Sequence, residues 1–230
     1  MKNSYKISLT ALLLALVFLS QNVIQGQVKF KAVGFDAGWY SPSLKFWNEE
    51  TFIKNWDDQH SGALFGRGFI EIGLFKSVNS RIGIGYWTHT IKESGIIWGT
   101  ETRTDELQIT LIPVTMDILM EFQFEDLEPV GFYGGLGWGL NIIQMEFTRI
   151  PSISDTTVDD LSGRDYFGYM LAGVNIPIAR GYTVAVEGRY ILGQYIQQLY
   201  SYNTIRDYDV SLSGPQFSVI LKYMLDYSIQ

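Results

Sequence analysis

Cysteine is absent from this chain of 230 residues, and histidine occurs only twice. Without disulfides, the fold must be held by its own hydrogen-bond ladder and by packing. The same two scarcities disfavour zinc and other borderline metals, whose usual protein ligands are thiolate and imidazole. No nucleotide-binding loop is recognisable either. We therefore predict no metal site and no cofactor.

Long apolar runs are missing after Gln27, and the mean hydropathy is only +0.06. A membrane helix needs about 20 consecutive apolar residues, so the mature chain can cross a bilayer only as β-strands. Prolines are few, at six, whereas glycine reaches 23 and aromatic residues make up 15% of the chain. This composition suits twisted, closely paired strands and aromatic belts at membrane interfaces.

The first 26 residues have the order of a secretory signal peptide. Lys2 and Lys6 form a positive start, residues 7–19 are almost entirely apolar, and mostly small or polar residues follow. The apolar run is too short for a comfortable span, which favours cleavage after Gly26 over an uncleaved anchor helix. We accordingly divide the chain into a signal peptide, 1–26, and a mature domain, 27–230.

The charge balance is acidic. The full chain carries −7, from 17 basic and 24 acidic residues. Removal of Lys2 and Lys6 with the signal leaves 15 basic residues against the same 24 acids, a net charge of −9. Nucleic acid selects basic surfaces, so it is not an expected partner.

From Gln27 onward, hydrophobicity alternates with a period of two, which indicates strands. Eight strands are predicted, at 28–40, 63–76, 81–91, 106–123, 130–147, 165–178, 182–197 and 215–225. The connections alternate between long and short, and the long ones are 41–62, 92–105, 148–164 and 198–214. Such alternation is typical of outer-membrane barrels, which have long outer loops and short periplasmic turns.

The second, fourth and seventh predicted strands each have one apolar face and one face with isolated charges. Even-numbered residues from Ile112 to Phe122 are all apolar, whereas Asp117 and Glu121 lie opposite. A barrel in lipid turns its apolar face outward. We predict an all-β fold, a single eight-stranded antiparallel up-and-down transmembrane β-barrel with long outer loops and short periplasmic turns. Because Pro113 would remove a ladder hydrogen bond, we also expect a bulge or a later strand start there.

The inward faces predict a polar network in the lumen. Its predicted members are Arg67, Glu71, Asp117, Glu121, Glu187 and Arg189, with Asp36 and Lys222 as further candidates. The interior of an eight-stranded barrel is just wide enough for side chains, which disfavours a diffusion pore. We interpret the network as structural salt bridges in a closed lumen. A proton or ion path, or a small polar site, is the alternative.

Several segments resemble one family. The glycine- and aromatic-rich stretch 130–139 is similar to a strand of small outer-membrane β-barrel proteins, the OmpX/OmpA-like or "porin family" barrels of Gram-negative envelopes. Segments 111–114, 186–190 and 212–214 resemble the same group, and the resemblance covers about residues 28–225. It implies an integral protein of the cell outer membrane that contacts membrane lipid and lipopolysaccharide.

Members of this family usually end on an aromatic residue that the barrel-insertion machinery reads. This chain ends on Gln230, and Tyr223 and Tyr227 are the nearest aromatic residues. The resemblance therefore implies the insertion machinery as a partner, while the C-terminal residue departs from the family's pattern.

For function, the sequence favours a structural or surface-interaction role without enzymatic activity. Outer-membrane lipid-modifying enzymes need a histidine beside a serine and a carboxylate. His60 lies in the first long loop and His89 near the outer end of the third strand, without a matching local motif. An enzyme that uses His89 is one alternative. A secreted, lipocalin-like barrel binding an apolar ligand is the other, although it would need an apolar interior.

The predicted outer loops leave two further questions open. Apolar residues in them would form a partner surface, a contact with lipopolysaccharide, or a lid over the barrel mouth; these residues are Phe46, Trp47, Trp56, Ile96, Ile97 and Trp98. An acidic group would attract calcium only weakly, because it lacks the spacing of a calcium loop; its members are Asp155, Asp159, Asp160 and Asp165. A solvated acidic loop is the simpler interpretation.

Overall fold

The computed structural model describes residues 29–50, 55–57, 59–98, 101–201 and 204–225. The signal peptide predicted at 1–26 and the residue Tyr227 lie outside the described residues. No helix within these residues combines the length and the apolarity that crossing a bilayer requires.

Nine strands account for most of the described chain. They are β1 (Lys29–Tyr40), β2 (Ala63–Phe75), β3 (Val78–Trp98), β4 (Glu101–Gln123), β5 (Gly131–Pro151), β6 (Thr157–Ala179), β7 (Tyr182–Ser201), β8 (Thr204–Ser211) and β9 (Gly214–Met224). Two short helical turns, Phe46–Glu50 and Glu125–Leu127, lie in the connections.

The strands close into a ring. Consecutive strands from β1 to β7 pair antiparallel, β7 pairs with β9, and β9 pairs with β1. Against β7, the pairs Gln194↔Ser211 and Ile191↔Gly214 keep one register, so β8 and β9 are two segments of the same wall strand. The predicted eight-stranded, antiparallel, up-and-down barrel is confirmed.

Three of the four predicted long loops are largely strand. β3 and β4 pair up to Trp98↔Glu101, β5 and β6 up to Arg149↔Thr157, and β7 and β8 up to Ser201↔Thr204. The predicted loops 92–105, 148–164 and 198–214 are therefore wrong as loops, because they extend the barrel wall as hairpins. Among the described residues, the connection between β1 and β2, of which 41–50, 55–57 and 59–62 are described, is the long one without strand.

The expected bulge at Pro113 is also absent. β4 runs through this residue, which pairs in regular register with Asn141 on β5. On the other side the pairs Ile84↔Val114 and Trp87↔Leu111 keep one register, and the ladder is interrupted only between them. Because proline has no N–H, pairing between β3 and β4 is interrupted next to Pro113, while the register on both sides stays the same.

An apolar belt surrounds the lower part of the barrel. We define it by residues 33–39, 64–74, 82–86, 112–122, 132–142, 166–178, 182–192 and 215–223, in which every outward side chain is apolar, aromatic or glycine. The stretch Ile112–Phe122, at about 3.3 Å per residue and with a tilt of about 40°, spans roughly 25 Å. That height matches the hydrocarbon core of a membrane, and the barrel is a transmembrane one.

Aromatic residues mark both rims of the belt. Trp39, Tyr86, Tyr166 and Tyr190 are exposed along the upper rim. Along the lower rim, Phe124 stacks edge-on with Phe132, and Tyr182 lies 5.2 Å from Tyr223 between ring centroids; Phe75 and Phe122 are exposed there too. Amphipathic rings at these heights anchor a barrel at the two membrane interfaces.

Candidate functional site in the barrel interior

The centre of the lumen holds a charged cluster. Its members are three arginines and three carboxylates, contributed by β1, β2, β3, β4 and β7: Arg67, Arg81, Arg189, Asp36, Asp117 and Glu187. All six are buried, and their charges sum to zero. We call this set the central network.

Arg67 connects one side of the central network. Its guanidinium lies 2.7 Å from the Asp36 carboxylate and 3.4 Å from that of Asp117, and it donates to the Thr115 hydroxyl at 3.1 Å. Asp36 lies on the neighbouring strand β1 and Asp117 on β4, so these contacts join β1, β2 and β4 along one side of the barrel.

Arg81 connects the other side. Its Nε donates to Asp117 at 2.8 Å and a terminal nitrogen donates to Glu187 at 2.6 Å. Arg189 contacts the same Glu187 carboxylate and approaches Asp36 and Asp117 to 3.6 and 3.7 Å. Arg81 was not in the predicted set, although it links two of the predicted carboxylates.

Two tyrosines complete the network with hydroxyl donors. Tyr133 donates to Glu187 at 2.8 Å, and Tyr169 donates to Asp117. The facing strands leave room for both rings through glycine. A Cβ at Gly137 would lie 2.2 Å from the Tyr169 ring, and one at Gly173 would lie 2.4 Å from the Tyr133 ring. Gly137 is one of the five glycines in the segment 130–139, and its lack of a side chain makes room for Tyr169.

Glu71 and Glu121 belong to a second cluster, nearer the periplasmic end. Lys222 donates to Glu71 at 3.1 Å, and Lys31 lies 3.8 Å from Glu71 and 2.5 Å from Glu121. Glu71 is buried, whereas the side chain of Glu121 is 30% exposed. Of the six predicted lumen residues, four thus belong to the central network and two, Glu71 and Glu121, lie near the periplasmic end.

Within the described residues, both clusters are electrically balanced. Buried charges are costly unless they are paired and hydrogen-bonded, and here each carboxylate has at least one cationic partner. The salt bridges of the central network also occupy the cross-section of the barrel.

The described residues of the connection between β1 and β2, 41–50, 55–57 and 59–62, close the outer mouth, and we call them the lid. Backbone N–H groups of Ser43 and Leu44 donate to the carbonyls of Ser213 and Ser211 at 2.9 and 3.0 Å. Its large side chains are buried inside the upper barrel; they are Leu44, Phe46, Trp47 and Trp56. The lid interpretation therefore holds for these loop aromatics. The side chains of Ile97 and Trp98 lie outside the description, and Ile96 is half-buried.

Hydrogen bonds fix the lid to the wall. The Trp47 indole donates to the Tyr195 hydroxyl at 2.9 Å, and that hydroxyl contacts Met145 Sδ at 3.3 Å. Within the lid itself, the Asn48 side chain exchanges two hydrogen bonds with the backbone of His60, at 2.8 and 3.0 Å. The lid is thus held by both packing and specific polar contacts.

The two histidines meet where the lid touches β3. Nδ1 of His60 lies 3.1 Å from Nδ1 of His89, and the His89 ring stacks on Trp87. Burial, with His89 close by, lowers the pKa of His60 to about 3. His60 is therefore neutral near pH 7, and the tautomers of the two rings decide which nitrogen donates.

Little free space remains above the central network, whereas a cavity of about 620 Å³ opens at the periplasmic end, beside Glu71 and Lys222. The cavity between the lid and the central network has a volume of about 20 Å³ and is lined by Tyr40, Trp87, Asn141, Arg189 and Gln216, among others. A single water molecule needs at least about 10–15 Å³ by this measure. The cavity can hold a water molecule and not an apolar ligand.

The acidic group of the third predicted loop lies on the β5–β6 hairpin. Asp159 pairs with Arg149 at 2.8 Å, and Asp165 accepts from the Tyr166 N–H at 2.7 Å. No group of three or more metal-ligating side chains is found within the described residues.

No family model and no curated protein matches the chain. Among solved structures it is similar to Neisserial surface protein A, at 12% identity over 84% of this chain and 96% of that one, with a TM-score of 0.47. It is also similar to the N-terminal β-barrel domain of Pseudomonas aeruginosa OprF, at 11% identity over 86% and 100%, TM-score 0.42. A third is Ail, the attachment invasion locus protein of Yersinia pestis, at 8% identity over 85% and 99%, TM-score 0.38. Function must come from this chain's own residues.

Proposed function

We propose that this chain is an integral protein of the bacterial outer membrane with a structural or surface-interaction role. In this proposal the barrel conducts no solute, and its upper wall presents β-hairpins outside the cell. The apolar belt and its aromatic rims support insertion in a membrane. The predicted signal peptide supports export to the envelope.

The observation that carries this proposal is the double closure of the lumen. The central network blocks the membrane section, because Arg81 on β3 reaches across the lumen to Glu187 on β7 and Arg189 on β7 approaches Asp117 on β4. The lid, with Trp47 and Trp56 buried, fills the outer mouth. A pore protein needs an open, solvated path, whereas this barrel has paired charges and packed aromatics along its axis.

Conductance in planar bilayers tests the proposal. The purified protein should insert without stable channel steps. The double variant Arg81→Ala, Glu187→Ala removes one bridging ion pair without changing net charge, so it should open a leak if the network is the barrier. Stable conductance steps in the unaltered protein would contradict the proposal. Heat-modifiable migration on gels and fractionation with outer membranes check that the sample is the folded, inserted barrel.

We further propose that the barrel is not an enzyme. The position of His89, against His60 and over Trp87, supports this, since a base in a hydrolase must reach a nucleophile. Labelled phospholipid and lipopolysaccharide incubated with the protein should stay intact. Hydrolysis that is lost in His89→Ala would contradict the proposal.

The lipocalin-like alternative makes a different prediction. A carrier would be soluble without detergent and would release a bound lipid on extraction. The interior supports the membrane protein instead, since the cavity above the central network has a volume of about 20 Å³. The larger cavity at the periplasmic end is lined by charged residues such as Lys31 and Glu71, which do not suit an apolar ligand. We therefore propose membrane lipid, lipopolysaccharide and the insertion machinery as partners of the outer surface, and no ligand for the lumen.

A further inference from the structure

The barrel wall is open on one side above the belt. β6 and β7 pair from Ala179↔Tyr182 up to Phe167↔Gly193, and no pair between them is formed above that point in the described residues. β6 continues upward paired only with β5, and β7 continues paired only with β8. The segment 157–166 of β6 therefore has a free edge, which we call the β6 edge.

The β6 edge is long, extended and accessible. Its residues 157–164 are exposed on both faces, in contrast to the alternating burial of the same strand below Phe167. A free edge presents a row of unpaired backbone N–H and C=O groups, which is a template for an added strand. Above the belt this edge faces water, where a partner can reach it.

The outward face beside the edge carries two like charges in one row. Glu146 on β5 lies directly opposite Asp160 on β6. Both are exposed, and neither forms an ion pair within the described residues. Like charges in directly opposite positions destabilise a sheet. On its other side, Asp160 has no neighbouring strand in the described residues, so the position next to it in this row is open to an added strand.

We propose that the β6 edge binds an extended polypeptide by strand addition, with a basic side chain of the incoming strand opposite Asp160. That cation lies beside one carboxylate and within reach of the second, so it relieves the repulsion across the row. Val158 and Leu161 are partly exposed on the two faces of the edge and give apolar neighbours to the added strand. The partner chemistry is thus a segment in which basic and apolar residues alternate.

A second copy of this chain fits the edge less well. Two barrels in one membrane are related by an axis along the membrane normal, so their identical edges would run in the same direction. Asp160 of one copy would then lie near Asp160 of the other, which adds repulsion instead of relieving it. An anionic glycolipid also fits the edge less well, because Glu146 and Asp160 would repel its negative charge.

The test uses a fluorescent ten-residue peptide of alternating lysine and valine, titrated onto the full barrel in nanodiscs and followed by anisotropy. The unaltered protein should bind it saturably, and Asp160→Asn should weaken binding about tenfold. Glu106→Gln is the matched control, because Glu106 is on the same outward face but on β4, whose two edges are both occupied. This control should bind as the unaltered protein does.

A backbone test separates strand addition from simple charge attraction. The same peptide with a central proline should lose binding, because proline cannot complete a ladder. Undiminished binding of the proline peptide, equal loss in Glu106→Gln, or no binding to a barrel that is heat-modifiable would each overturn the inference. Dimers formed without peptide would assign the edge to self-association and overturn it as well. The inference rests on the proposed surface role. That role has its own test, since stable conductance steps of the unaltered protein would contradict it whatever the peptide does.

Discussion

The lower and upper halves of the barrel share one wall and have opposite interiors. Inside the belt, the lumen holds ion pairs such as Arg81 with Asp117, while the outside is apolar. Above the belt, the interior is an apolar core that includes Ile91 and Ile109, while the outside is mostly polar, with Ile196 among its exposed apolar residues. Polarity thus follows the surrounding solvent, which is hydrocarbon below and water above.

β4 shows the reversal on a single strand. Its inward residues are Asp117 and Thr115 in the lower half but Leu111, Ile109 and Leu107 in the upper half. The strand keeps its period of two across this point, because the pleat does not depend on polarity. The height at which the pattern inverts therefore marks the outer membrane interface.

The largest expected effect comes from breaking the lower interior. Arg81→Ala should lower the free energy of unfolding by about 3–5 kcal/mol, because it leaves Asp117 and Glu187 with fewer partners in a buried site. Urea titration in lipid vesicles measures this. Arg149→Ala is the control in the upper half, where an exposed pair with Asp159 contributes at most about 1 kcal/mol. If both variants lost the same free energy of unfolding, the ion pairs of the lower interior would be no more important for stability than an exposed pair, which would contradict the comparison.

A smaller effect should distinguish the two outer surfaces. Val186 and Ile196 both point outward from β7, the first inside the belt and the second above it. Val186→Arg should cost about 2–4 kcal/mol, as a cation near the middle of the bilayer does, whereas Ile196→Arg should be nearly neutral. Folding equilibria of both variants in bilayers measure the difference. A similarly large loss of stability in Ile196→Arg would show that Ile196 lies in the membrane and that the belt extends higher than we define it.

The upper half should also respond to acid. The pKa of His60 is lowered to about 3 with the lid closed, against about 6.5 when the lid is released. The closed lid keeps its full stability above pH 6.5 and loses it as the pH falls from there toward 3. The loss is about 2 kcal/mol at pH 5. Hydrogen exchange of residues 41–50 against pH measures it, and His60→Gln should flatten the response; an equally steep response in that variant would assign it to another group.

The smallest effect concerns one hydrogen bond of the lid. Trp47→Phe keeps an aromatic ring but removes the indole N–H that donates to Tyr195. We expect a loss of about 1 kcal/mol in lid closure, read from hydrogen exchange of the same segment. Unchanged protection would mean that packing alone holds the lid.

Local patterning was sufficient to predict the barrel and the sides of its strands in the belt. The alternation around Ile118 and Asp117 on β4 is an example, since one face is apolar over its whole length. Arg81 was missed because the next two residues on its face of β3, Gly83 and Gly85, have no side chains and so give no sign of which face points inward. The next residue on this face is Trp87, which is buried and shows that Arg81 also points inward.

The upper wall was mistaken for loops for a physical reason. Its outward residues, such as Thr104 and Ser162, are polar, so the segments have the composition of a loop although they pair as strands. The contact between His60 and His89 could not be predicted, since it depends on how the lid folds back. Long-range packing of an irregular segment leaves no periodic signal in the sequence.

The reversal of polarity can be tested directly because the chain has no cysteine of its own. Single cysteines at Ile118 and Val186 in the belt, and at Gln144 and Ile196 above it, would carry nitroxide labels in lipid bilayers. We expect relaxation by oxygen at the two belt positions and relaxation by a water-soluble nickel complex at the two upper positions. Strong relaxation by the nickel complex at Ile118 and Val186 would show that water surrounds the belt, and the account of this barrel would fail.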